Sequence, residues 1–147
     1  MRKVPLGTTI AYGMPGLGAG YMYLLMSLYV MKFSTDVLLI APAVMGVIFS
    51  ISRIWDAVSD PIAGYLSDRT TFKFGRRRTW MLISFIPISF GFLAVFSPPE
   101  SMQGQSLDLW MMIAILSFYS AITLLNVPHM ALGAELSEDY HERTRLF

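Results

Sequence analysis

Asp56 and Asp60 stand one helical turn apart in an otherwise apolar segment, and Arg53 precedes them by three residues. At that spacing all three fall on one stripe of a helix. Two carboxylates on one stripe can jointly offer hard oxygen ligands to a small cation such as sodium. Without a cation they repel each other in a low dielectric, and one of them would hold a proton instead. Either ion relieves the repulsion, which suits the pair to coupling an ion to another event. A plainer arrangement is also open: Arg53 neutralises Asp56, and Asp60 pairs with a polar group on a neighbouring helix. Gly64 extends the stripe as a groove for a close neighbour. Pro61 removes one backbone hydrogen bond just beyond the acids and loosens the helix there.

A second polar stripe, Thr123, Asn126 and His129, repeats every three residues. Thr123 offers a hydroxyl oxygen to the same cation, and Asn126 an amide to a solute. For each of them a helix–helix hydrogen bond is the competing role. Between the acids and the next apolar run lie Arg69, Lys73, Arg76, Arg77 and Arg78. Asp68 with Arg69, Arg76 and Arg77 could form ion pairs that hold in one conformation and break in another. Such a latch would act as a gate. A solvated loop accounts for the arginines alone, but not for the Gly64-x-x-Ser67-Asp68-Arg69 run before them.

These residues need helices in a membrane to position them. The 147 residues are 54% hydrophobic and 14% charged, with mean hydropathy +0.54; a soluble domain carries about 25% charge. The absence of cysteine excludes disulfides and thiolate metal sites. His129 and His141 lack metal-ligand spacing, and no cofactor is implied. A net charge of +1, with the basic cluster between apolar segments, does not point to nucleic acid. Both acids lie on one helix, whereas an intramembrane aspartyl protease needs them facing each other from two. The chain is not read as an enzyme.

A helix needs about 20 residues to cross the hydrocarbon core. Four such segments are predicted, at about 8–33, 41–66, 80–97 and 108–134, with a cytoplasmic loop at 67–79. The first is too long for the apolar core of a signal peptide. Nine of the eleven Lys and Arg residues fall on one side, which places the loop and both termini in the cytoplasm. The first and fourth helices are expected to be interrupted, by Pro15 with its glycines and by Pro128. Interrupted helices at matching places of a repeat mark binding sites in transporters; Gly16 and Gly20 could instead serve close helix packing. Trp80 and Trp110 are expected to be interfacial anchors, and Trp55 to pack.

Arg53-Ile-Trp-Asp-Ala-Val-Ser-Asp-Pro-Ile-x-Gly, Ser67-Asp-Arg-Thr with Gly75-Arg-Arg-Arg-Thr-Trp, and Asn126-Val-Pro before Leu132-Gly-Ala-Glu-Leu resemble the glycoside–pentoside–hexuronide:cation symporter family, the melibiose-permease-like branch of the major facilitator superfamily. Tyr12-Gly and Tyr29 through Thr35-Asp-Val fit as well. The resemblance implies an all-α membrane protein: four transmembrane helices of an N-terminal six-helix domain, truncated before helix five. It implies Asp56, Asp60 and Thr123 as the cation site, for sodium or a proton, and Arg53 near the solute. Where melibiose-type members carry sugar-binding aspartates, this chain has Gly20 and Asn126. Related animal members move lysolipids, so the resemblance does not fix a sugar. The expected partners are a small solute such as a sugar, the lipid bilayer, and the C-terminal helices of the same transporter. The expected location is a bacterial inner membrane, multi-pass. The rival expectation is a small four-helix membrane protein with an interaction or regulatory role.

Overall fold

The computed structural model describes residues 6–70 and 75–136. Four helices follow one another: α1 (Leu6–Asp36), α2 (Pro42–Arg69), α3 (Arg76–Phe96) and α4 (Gln105–Leu136). At 1.5 Å per residue even α3 is about 31 Å long, enough for a hydrocarbon core of about 30 Å. Two helices meet a stricter criterion of length and apolarity, over Arg77–Phe96 and Gln105–Gly133. In α1 glycines and tyrosines dilute the apolar residues, and α2 carries Arg53, Asp56 and Asp60 along its middle.

Helix ends follow local chemistry. Pro42 opens α2, where its missing N–H costs nothing. Leu39 takes φ 56° just after α1, while the Ile40 N–H returns to the Ser34 carbonyl at 3.0 Å. That wrap satisfies a carbonyl that the helix end leaves open. Gly75 at φ 95° turns the chain into α3, a conformation that L side chains resist.

α4 is the central helix, packed on α3 and more lightly on α2, with α1 touching all three. Its buried stripe is Met111, Ile115, Phe118, Ile122 and Leu125, and α3 answers with Met81, Ser84, Ile88 and Val95. With the buried Gly91 between Ile88 and Val95, both stripes alternate steps of three and four, the period of a heptad seam. On its other side α3 exposes Leu82, Ile86, Phe90 and Leu93 at 60–71%. Ser89 is also exposed on that side, its hydroxyl turned back onto the Phe85 carbonyl at 2.9 Å.

The tightest crossing is at Gly91. A Cβ built there would lie 2.9 Å from the Phe118 Cα and 3.0 Å from its backbone nitrogen. Backbone cannot swing aside as a side chain does, so Gly91→Ala must push α3 from α4. We expect it to cost about 1–3 kcal/mol and to lower the melting temperature in detergent. Gly46→Ala is the control, since nothing lies within 4 Å of that position; equal melting of the two variants would refute the tight crossing.

Several expectations are corrected. α1 and α4 run unbroken through Pro15 and Pro128. The Gly16–Gly20 pair is not the close seam: Gly16 meets only the His129 Cε1 at 3.5 Å, and Gly20 meets nothing within 4 Å. Trp55 stays 45% exposed, although its indole N–H donates to the Ser120 Oγ at 2.7 Å. Trp80 donates to the Thr70 Oγ1, and Trp110 to the Ala94 carbonyl. Among the basic residues, Arg2, Lys3, Lys73, Arg143 and Arg145 lie outside the described residues, as does His141.

Candidate functional site

The site forms where the acid stripe of α2 meets α4. Thr123 is buried, and its hydroxyl donates to the Asp60 Oδ1 at 3.0 Å. The two residues are 63 positions apart, so this bond exists only through helix packing. One turn earlier, the Asp56 Oδ2 accepts from an Arg53 guanidinium nitrogen at 3.4 Å. The other oxygen, Asp56 Oδ1, is buried and accepts no hydrogen bond. Such an oxygen retains its desolvation cost until a cation or proton meets it. Asp56, Asp60, Thr123 and Asn126 line one cavity of about 280 Å³, together with Tyr23 and Tyr119.

Both open possibilities for the acids are therefore present in part. Arg53 does offset Asp56, and Asp60 does have a polar partner on another helix. Neither arrangement is complete, because Arg53 engages one carboxylate oxygen at long range. The donors gathered here, two carboxylates and a hydroxyl, have the chemistry of a site for a small hard cation.

Gly20 is not brought to this cavity; α1 presents Tyr23 there instead, three residues on. Tyr23 and Tyr119 meet edge to face, with ring centroids 5.9 Å apart. Tyr119 lies four residues before Thr123, on the same stripe, and that spacing was the available signal for it. Tyr23 had none, because its placement depends on how α1 leans on α4. His129 turns away from the cavity. Its ring stacks on Tyr12 at 4.2 Å, its Nε2 meets the Tyr12 carbonyl at 2.8 Å, and the Tyr12 hydroxyl donates to the His129 carbonyl at 3.0 Å. The role of His129 is helix–helix bonding between the proline-bearing stretches of α1 and α4.

At the loop end, Arg77 donates to the Asp68 Oδ1 at 3.2 Å and to the Ala131 carbonyl of α4. One guanidinium thus ties α2, α3 and α4 together. Arg69 does not join it; its guanidinium lies over the Tyr65 ring at 4.3 Å. The Arg76 side chain lies outside the described residues. A larger cavity of about 520 Å³, between α1 and α3, has apolar walls and lacks the acid pair.

The model of a family described as MFS/sugar transport protein matches residues 11–147. An uncharacterised symporter of Synechocystis sp. is 36% identical over 98% of this chain and 27% of its own length. The inner membrane symporter YicJ of Escherichia coli is 34% identical over 93% of the chain and 30% of its own length. A sodium-dependent lysophosphatidylcholine symporter of Danio rerio is 33% identical over 76% of the chain and 21% of its own length. The chain spans less than a third of the length of these relatives.

Proposed function

The chain belongs to the MFS/sugar transport protein family, and from that premise we propose that it supplies the cation-coupling part of a secondary symporter for a sugar or glycoside-like solute. The observation that carries this reading is the Thr123–Asp60 bond beside the half-satisfied Asp56, inside one cavity between α2 and α4. Sodium or a proton binding at Asp56 and Asp60, with the Thr123 hydroxyl as a further ligand, would be the coupled step. An ion couples only through different affinity for two conformations. A site built across two helices meets that need, because sliding α2 on α4 parts Asp60 from Thr123. Arg53 and Asn126, at the margin of the same cavity, would face the solute.

We place all four helices across the membrane, in a major-facilitator-type N-terminal domain. Their lengths and the largely apolar outer stripe of α3 support this. Both termini and the 67–79 loop would then be cytoplasmic, in a bacterial inner membrane, by the weight of basic residues on that side. The solute would lie near the midplane, between this part and helices supplied by the remainder of a transporter of the relatives' length.

The test is calorimetric titration of sodium into the complete product of the reading frame in detergent, followed by solute uptake into vesicles. We expect saturable sodium binding, and uptake of a sugar or glycoside that a sodium gradient accelerates. Proton-driven uptake with no sodium binding would keep the symporter and change the ion. Accumulation of lysophosphatidylcholine instead would overturn the solute class. A protein that binds neither ion and moves no solute would be an interaction subunit.

A further inference from the structure

The Arg53 guanidinium has two competing sets of partners. One nitrogen lies 3.4 Å from the Asp56 Oδ2 and equally 3.4 Å from the Tyr23 hydroxyl oxygen. Its central carbon sits 5.3 Å from the centroid of the Tyr119 ring, near enough for cation–π attraction. The two tyrosines brace each other edge to face, and Tyr119 is 3% exposed, so its ring is held by packing. Arg53 itself is long and largely exposed, and among the described residues these three groups are the ones that hold its guanidinium.

We propose that Tyr23 and Tyr119 form a cradle that draws the Arg53 guanidinium off Asp56 and so sets how tightly the coupling ion binds. The proposal rests on Asp56 belonging to the cation site. An ammonium-like group already near a carboxylate competes with any cation that needs the same oxygens. Seated wholly on Asp56, Arg53 would act as an internal counter-ion and exclude sodium. Seated wholly in the cradle, it would leave Asp56 open. The observed position divides one nitrogen equally between them, so a small change in either partner shifts the balance. Cation entry would complete the move of Arg53 into the cradle, at the rim of the cavity, where its N–H groups could meet solute hydroxyls. The tyrosines are positioning residues: they touch neither ion nor solute in this role and act through Arg53.

The direction of the effect separates this from simple packing. Tyr23→Phe keeps the ring and removes only the hydroxyl that competes with Asp56. It should raise the sodium concentration for half-saturation about fivefold, the scale of one ordinary net hydrogen bond, since this one is long. Tyr119→Leu, which removes the π face, should act the same way. In an Arg53→Gln background Tyr23→Phe should have no effect, because there is no guanidinium to release. Calorimetric sodium titrations of these variants, each with its melting temperature, form the experiment. If Tyr23→Phe leaves sodium affinity unchanged, or tightens it, while the wild type binds sodium, the cradle is refuted and the symporter reading stands. If the wild type binds no sodium, the cradle as a control on sodium affinity is refuted, and proton-driven uptake decides whether the symporter reading stands. An equal loss in the Arg53 and Arg53→Gln backgrounds would mean that the tyrosines merely support the fold.

Discussion

Asp60→Asn is expected to abolish measurable sodium binding and sodium-driven uptake, and Asp56→Asn to weaken both by at least about a hundredfold. The substitution removes a full negative charge while leaving the shape almost unchanged. A cation 4 Å from a carboxylate gains about 4 kcal/mol at an effective dielectric constant of 20, and that is roughly a thousandfold in affinity. Asp60 should suffer more, because its charge is the one not offset by Arg53. Thr123→Val removes a neutral hydroxyl that donates to Asp60 at 3.0 Å. A net hydrogen bond of about 1 kcal/mol makes that a loss of only about fivefold, and Thr123→Ser should restore it. The graded series is the point. Isothermal titration of the four variants checks it, and wild-type affinity in Asp60→Asn would remove Asp60 from the cation site.

The acids of this site were legible from spacing because 53, 56 and 60 are local to one helix. Positions three or four apart share a face whatever the rest of the fold does. The helices were legible for the same reason, and their ends moved by one to four residues, since capping by the Ser34 carbonyl or by Gly75 is settled in three dimensions. Contacts between helices were legible only where polar chemistry announced them, as for Thr123 and Asp60. Gly91 looks like any glycine in an apolar run, yet it marks the closest crossing, because Phe118 sits on the facing stripe of α4. Gly16 and Gly20 carry the stronger sequence pattern, and Gly20 faces open space. Prolines misled in the opposite direction. Pro15 and Pro128 each delete one backbone bond, and the bundle tolerates that in a helix with tertiary support. The reciprocal Tyr12–His129 bonds supply such support at the place where both helices are weakened.

Arg77→Gln is expected to open the loop end of the bundle, whereas Asp68→Asn should disturb it little. The ranking follows from burial. Asp68 is 58% exposed, and an ion pair with so exposed a partner is worth about 0–1 kcal/mol. Arg77 is only 12% exposed and also donates to the Ala131 carbonyl, in the second-last turn of α4. Removing the guanidinium breaks that charged link between α3 and α4, at a cost of about 1.5–3 kcal/mol. A latch that releases by breaking the Arg77–Ala131 link would therefore respond to Arg77 far more than to Asp68. The chain has no cysteine of its own, so Ser67→Cys can serve as reporter. Ser67 is 2% exposed, beside Asp68, with its hydroxyl on the Gly64 carbonyl. Maleimide labelling of that thiol should run about tenfold faster with Arg77→Gln and stay within about twofold with Asp68→Asn, as the free-energy ranking requires. Arg77→Lys should fall between them, since one ammonium cannot span both acceptors with the geometry of a guanidinium fork. Equal labelling rates in all four proteins would mean that Arg77 only staples the helices and gates nothing.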